Sequence, residues 1–138
     1  DLELDVQQPG ELFANQLSVS AQSGGLVQFD VATPANPGGA YLLLGSASGT
    51  MPGTPFGGLT LPLNRDRLLN LTVTQANGPL LPSSQGTLDA AGEATAWFDA
   101  VPGLLETYVG GRLDFVVFQA AAPGGDRVTN GVALDVLP

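Results

Sequence analysis

The chain has 138 residues, near the commonest size of one domain, and a folded unit of that length buries roughly 68% of the surface its unfolded chain exposes. It contains no Cys and no His, and its four Arg stand against thirteen Asp plus Glu, for a formal charge of −9. These absences remove disulfides, thiolate metal sites, the usual general base near neutral pH and the nucleophiles that depend on one. The negative surface opposes binding to nucleic acid and to anionic membranes.

Nineteen Gly and eleven Pro fall short of the roughly 25–30% that marks disordered chains. No apolar run approaches the roughly 18 residues of a membrane-spanning helix. The start at Asp1 reads as that of a mature chain, as expected if a leader has been removed or equally if the sequence is excised from a longer protein.

Taken in chain order, apolar residues recur at period two almost everywhere. Leu2, Leu4 and Val6 alternate with Asp1, Glu3 and Asp5, which predicts a half-buried strand, and Gln7-Gln8-Pro9-Gly10 follows it as a hinge. Further strands are expected over 16–20, 26–31, 40–46, 58–63, 69–73, 85–89, 93–98, 112–119 and 132–136. Gly- and Pro-rich breakers fall between them: Gly24-Gly25, Pro34 through Gly39, Pro52 through Gly58, Asn77-Gly78-Pro79, Pro102-Gly103 and Pro123-Gly124-Gly125. Only 103–109 has helical spacing, and it is too short to stand alone.

The pattern predicts an all-β fold, a two-layer antiparallel β-sandwich (Ig-like or jelly-roll-like) of about nine or ten short strands. One domain spans 1–138, with 1–8 as an exchangeable N-terminal strand. Asp89-Ala90-Ala91-Gly92 reads as a turn joining the arms of a hairpin over 86–98. The strand 112–119 is apolar on both faces and is expected inside a sheet that is covered on both sides.

Catalytic chemistry finds little support in this pattern, and the chain is expected not to be an enzyme. The serines lack a base, and 45–49 (GSASG) misses the nucleophile-elbow motif because Ala47 holds its central place. Paired carboxylates, Asp89 with Glu93 or Asp99 with Glu106 and Asp114, are the remaining catalytic option. They are read as solvated residues. No catalytic, cofactor-binding or metal residue is therefore expected. Calcium is the metal best matched to a chain with neither His nor Cys, yet Asp1, Glu3 and Asp5 would stand about 7 Å apart along their strand, too far for all three to grip one ion unaided. Asn70-Leu71-Thr72 fits the N-glycosylation pattern by accident of a strand.

Trp97 shares a strand face with Thr95 and Asp99, a combination that can stack on a sugar ring and hydrogen-bond its hydroxyls. Tyr41 and Tyr108 are further candidate aromatic platforms.

The stretch 41–63 (YLLLGSASGTMPGTPFGGLTLPL), the segment 86–98 and the ending 129–137 (TNGVALDVL) together resemble a domain that recurs, often near the C-terminus, in secreted and surface proteins of Planctomycetes and Myxobacteria. The likeness runs from about residue 24 to 137. It implies an extracellular β-sandwich without assigned catalytic activity, and it supplies no functional residues. Residues 1–23 follow the pattern less closely.

Two functions are consistent with this reading. One is an extracellular structural protein, a filament or surface-assembly subunit that self-associates when the strand bearing Leu2, Leu4 and Val6 pairs with a neighbour. The other is a non-catalytic adhesive appendage that holds a polysaccharide on Trp97, Thr95 and Asp99. Neither inserts into a membrane.

Overall fold

The computed structural model describes residues 11–122 and 124–138. Its elements, in chain order, are β1 (Leu12–Ala14), β2 (Ser18–Ser20), β3 (Gly25–Ala32), β4 (Ala40–Ser46), β5 (Thr54–Phe56), β6 (Leu59–Leu61), α1 (Arg67–Thr74), β7 (Gln85–Thr87), β8 (Glu93–Ala100), a 3-10 turn (Glu106–Tyr108), β9 (Arg112–Ala122), β10 (Gly125–Val128) and β11 (Val132–Leu137). The strand expected over 1–6, with Leu2, Leu4, Val6 and the three acids beside them, lies outside the described residues.

The fold is all-β, as the alternation predicts. One sheet has the order β1-β3-β8; the other runs β2-β11-β9-β4-β7, with β10 beside β9; and β5 and β6 form a separate ribbon. With β3 and β8 in one sheet and β4, β9 and β11 in the other, the strands are shared out as in immunoglobulin-like sandwiches. The N-terminal strand changes sheets at Asn15–Leu17, so that β1 pairs antiparallel with β3 while β2 runs parallel to β11. That parallel pair departs from a purely antiparallel sandwich.

The inward faces are those the period-two pattern assigns. Val27, Phe29 and Val31 of β3, Ala96 and Phe98 of β8, and Leu113, Phe115 and Val117 of β9 all lie in the main core. Phe115 sits between Phe29 and Phe98, at ring-centroid distances of 4.8 and 5.4 Å and tilts of 44° and 46°. Each such ring contributes roughly 1.5–3 kcal/mol by burial. Gly45 on β4 leaves room for it, since a Cβ there would lie 2.5 Å from the Phe115 ring.

As expected, β9 is covered on both sides. Val116 and Phe118 point away from the main core into a second cluster with Leu44 of β4 and with Leu61, Leu63 and Leu69, which the β5–β6 ribbon, the segment after it and α1 lay over the second sheet. Phe118 meets Phe56 edge to face at 4.9 Å.

Two expectations are corrected. Residues 67–74 form a helix where alternation of Leu69, Leu71 and Val73 predicts a strand. The buried set is Leu68, Leu69 and Thr72, a helical stripe, and Val73 is exposed. Asp66 decides between the two conformations: its side chain accepts from the Leu69 N–H at 2.8 Å and so satisfies an otherwise orphaned helix donor. Thr72, the last residue of the apparent glycosylation triplet, is buried; its hydroxyl donates to the Leu69 carbonyl and accepts from the Gly45 N–H, tying α1 to β4.

The second correction concerns 86–98. The turn itself forms: Gly92 has φ 79°, its N–H donates to the Asp89 carbonyl at 2.9 Å, and Asp89 Oδ1 accepts from the N–H groups of Ala91 and Glu93, each at 2.9 Å. Its arms do not pair with each other, however. β7 pairs with β4 in the second sheet, while β8 pairs with β3 along its whole length, so the turn carries the chain from one layer to the other. The two layers are also joined at Glu11. Arg127 donates to both of its carboxylate oxygens at 2.6 Å, and Asn130 Oδ1 accepts from the N–H groups of Glu11 and Leu12 at 2.6 and 2.9 Å.

Candidate functional site

The second sheet has its outer face covered, whereas among the described residues the outer face of the first sheet is open. Register fixes what that open face presents. Phe13 pairs with Asp30 and Asp30 with Thr95, forming one row; Gln28 pairs with Trp97, and Asn15 joins that row by donating its N–H to the Gln28 carbonyl at 3.0 Å; Leu26 pairs with Asp99 in a third. Strands stand about 4.8 Å apart and same-face residues about 6.8 Å apart along a strand, so Phe13 and Trp97 lie about 12 Å apart on the diagonal.

Trp97, Thr95 and Asp99 therefore share the face that the sequence assigns them. All three are partly exposed. Residues far away in the chain complete the surface: Phe13 and Leu26, each 50% exposed, and the polar pair Gln28 and Asp30. Asp30 Oδ1 accepts from Thr95 Oγ1 at 2.8 Å and from Gln28 Nε2 at 3.1 Å, which holds a carboxylate, an amide and a hydroxyl in one fixed array. The beginning of β8 adds a shallow depression of about 450 Å³ bordered by Asp30, Asp89, Glu93 and Thr95. None of these side chains is basic.

The other candidates fall elsewhere. Tyr41 is corrected as a platform: it is 6% exposed, its hydroxyl donates to the Ser83 carbonyl at 2.8 Å, and burial raises its pKa. Tyr108 is half-buried at the end of the 3-10 turn. Of the paired carboxylates, Asp89 and Glu93 do border one depression, yet Asp89 Oδ1 is already engaged by two backbone donors. Asp99 and Asp114 belong to different sheets, and Asp114 pairs with Arg112 at 3.2 Å. Among the described residues no group of three or more acids is placed to hold a metal ion.

The serine-rich loop after β4 is organised around Asp66. Its Oδ2 accepts from Ser46 Oγ at 3.1 Å, the Ala47 N–H at 2.8 Å and Ser48 Oγ at 2.8 Å. Burial opposes the charged form of this carboxyl, but the hydrogen bonds from Leu69, Ser48, Ala47 and Ser46 together outweigh it and hold the pKa below the usual carboxylate range. Ser46 is thus a structural donor to an ionised acid.

The chain matches no family model and no curated protein. Among the described residues no helix is long and apolar enough to cross a membrane.

Proposed function

We propose that the protein is a non-catalytic, extracellular binding domain that holds a neutral polysaccharide on the open face of its first sheet. The observation that carries this reading is the array on β1, β3 and β8: an indole and a phenyl ring about 12 Å apart on the diagonal, with the hydrogen-bonded Asp30, Gln28 and Thr95 between them. Aromatic faces stack on the apolar faces of sugar rings, and carboxylate and amide groups pair with adjacent hydroxyls. The acids on the face favour an uncharged polymer over an anionic one. The test is a pull-down of the protein on insoluble cellulose, chitin and starch, alongside the soluble polyanion alginate. Retention on a neutral polymer that Trp97→Ala abolishes is expected; retention on none of them, or equal retention of Trp97→Ala, overturns the proposal.

A second reading, a filament or surface-assembly subunit, draws on the sheet edges. Among the described residues β2 and β7 end the second sheet with one paired strand each, and such edges accept an added strand. Here the donor would be the segment bearing Leu2, Leu4 and Val6. Sedimentation of the full chain against one lacking residues 1–8 decides the matter: polymers lost on deletion support it, and a monomer in both cases removes it.

A further inference from the structure

Between α1 and the 3-10 turn the main core opens to the surface through a cavity of about 310 Å³. Its floor is Leu68 and Leu105, 3% and 1% exposed, and its walls are the half-buried Leu71, Leu80 and Leu104. A two-turn helix and a single 3-10 turn meet there, and their side chains leave the gap unfilled. Interiors normally close such gaps to near-crystalline density, so an open leucine-lined well is informative.

Polar groups are found only at the mouth, which is formed by Arg67, Thr107 and Tyr108. Arg67 is the first residue of α1, where the positive end of the helix dipole disfavours a cation. Arg112 pairs with Asp114 and Arg127 with Glu11, whereas Arg67 forms no ion pair among the described residues. The adjacent carboxylate, Asp66, is instead engaged by the helix through Oδ1 and by the serine loop through Oδ2, and it forms no ion pair with Arg67 among the described residues. A guanidinium without a partner, in a chain of charge −9, at the rim of an apolar well, is complementary to a ligand with an acidic head and an apolar tail.

We infer that this cavity binds a small monocarboxylic acid with a short apolar tail. The tail occupies the leucine well, and the carboxylate meets the Arg67 guanidinium within reach of the Tyr108 hydroxyl. The volume is at the lower limit of ligand pockets, roughly 300–1,000 Å³, which restricts the tail to a short chain or a single ring. The site lies on different elements from the open sheet face, so the two proposals stand or fall separately.

The test is a titration of the isotope-labelled full chain with sodium octanoate and with 1-octanol, followed by amide chemical shifts. Saturable shifts confined to Leu68, Leu71, Leu80, Leu104 and Tyr108 are expected, with octanoate binding about tenfold tighter than octanol. Arg67→Gln should bring octanoate down to the affinity of octanol and leave octanol unchanged. Leu104→Trp should fill the well and remove both, with the β3 and β9 resonances unmoved as proof of folding. The inference is overturned by the absence of saturation up to about 10 mM, by shifts spread over the open sheet face, by octanol binding as tightly as octanoate, or by an Arg67→Gln protein that binds octanoate as before.

Discussion

The two sheets of the sandwich are built from the same kind of alternating strand and end differently on their outer sides. β9 carries Val116 and Phe118 outward, and the chain returns α1 and the β5–β6 ribbon to cover them. β3 and β8 carry Leu26, Gln28, Asp30, Thr95 and Trp97 outward, and none of them belongs to either apolar cluster. What separates the faces is the mixture on the second: apolar surface broken by carboxylates and amides that would be costly to bury. An apolar face draws a cover from its own chain, whereas a mixed face of rings and acceptors stays in water and suits a wet, polar partner.

Perturbing the main core, which both sheets share beneath these two faces, should have the largest effect. Phe115→Ala removes the ring that joins the two layers and should cost about 3–5 kcal/mol, read from the urea midpoint at constant slope. On the open face the effect should move from stability to binding. Trp97→Ala is expected to weaken polysaccharide retention by about 2 kcal/mol or more, while unfolding shifts by only about 1 kcal/mol. A stability loss as large as that of Phe115→Ala would make Trp97 a core residue and dissolve the contrast.

Asp66 tests how the cover is held. Asp66→Ala removes the α1 cap and the anchor of the serine loop, and should cost about 0.5–2 kcal/mol. Because the folded-state pKa is lowered, the wild-type contribution is fully present above the unfolded carboxyl value and is lost as pH falls through the folded one. The stability gap between wild type and Asp66→Ala should therefore close in acid; a gap constant with pH would assign the effect to geometry alone. The smallest effect is expected at the joint between the layers, where a double-mutant cycle on Glu11 and Arg127 should give about 0.2–1 kcal/mol and weaken with salt.

Much of this molecule could be read from its strands one at a time. Periodicity identifies the inward faces of β3, β8 and β9 and the common face of Trp97, Thr95 and Asp99, and residue type identifies the Asp89–Gly92 turn, because each depends on neighbours in sequence. Pairing does not. Phe13 joins the candidate face only through the register of β1 on β3, and Gln28 and Asp30 only through the register of β3 on β8, where Asp30 and Thr95 are 65 residues apart, and the split of β7 from β8 depends on which partner each edge finds. The helix at 67–74 was masked by a genuine coincidence, since Leu69, Leu71 and Val73 fit period two while Leu68, Leu69 and Thr72 fit the helical stripe; the signal that could have found it is Asp66 as an N-cap. The leucine well draws on three separate segments, none of which announces a cavity by itself.

The covering of the second sheet also limits how the unit can be used. With α1 and the ribbon occupying one side, a single open face remains among the described residues, so under the proposed function this face would hold one polymer per copy. Networks or tight retention would require copies in series, where a linker raises the local concentration of the second face and the strength of attachment grows with copy number instead of with any change in the face itself.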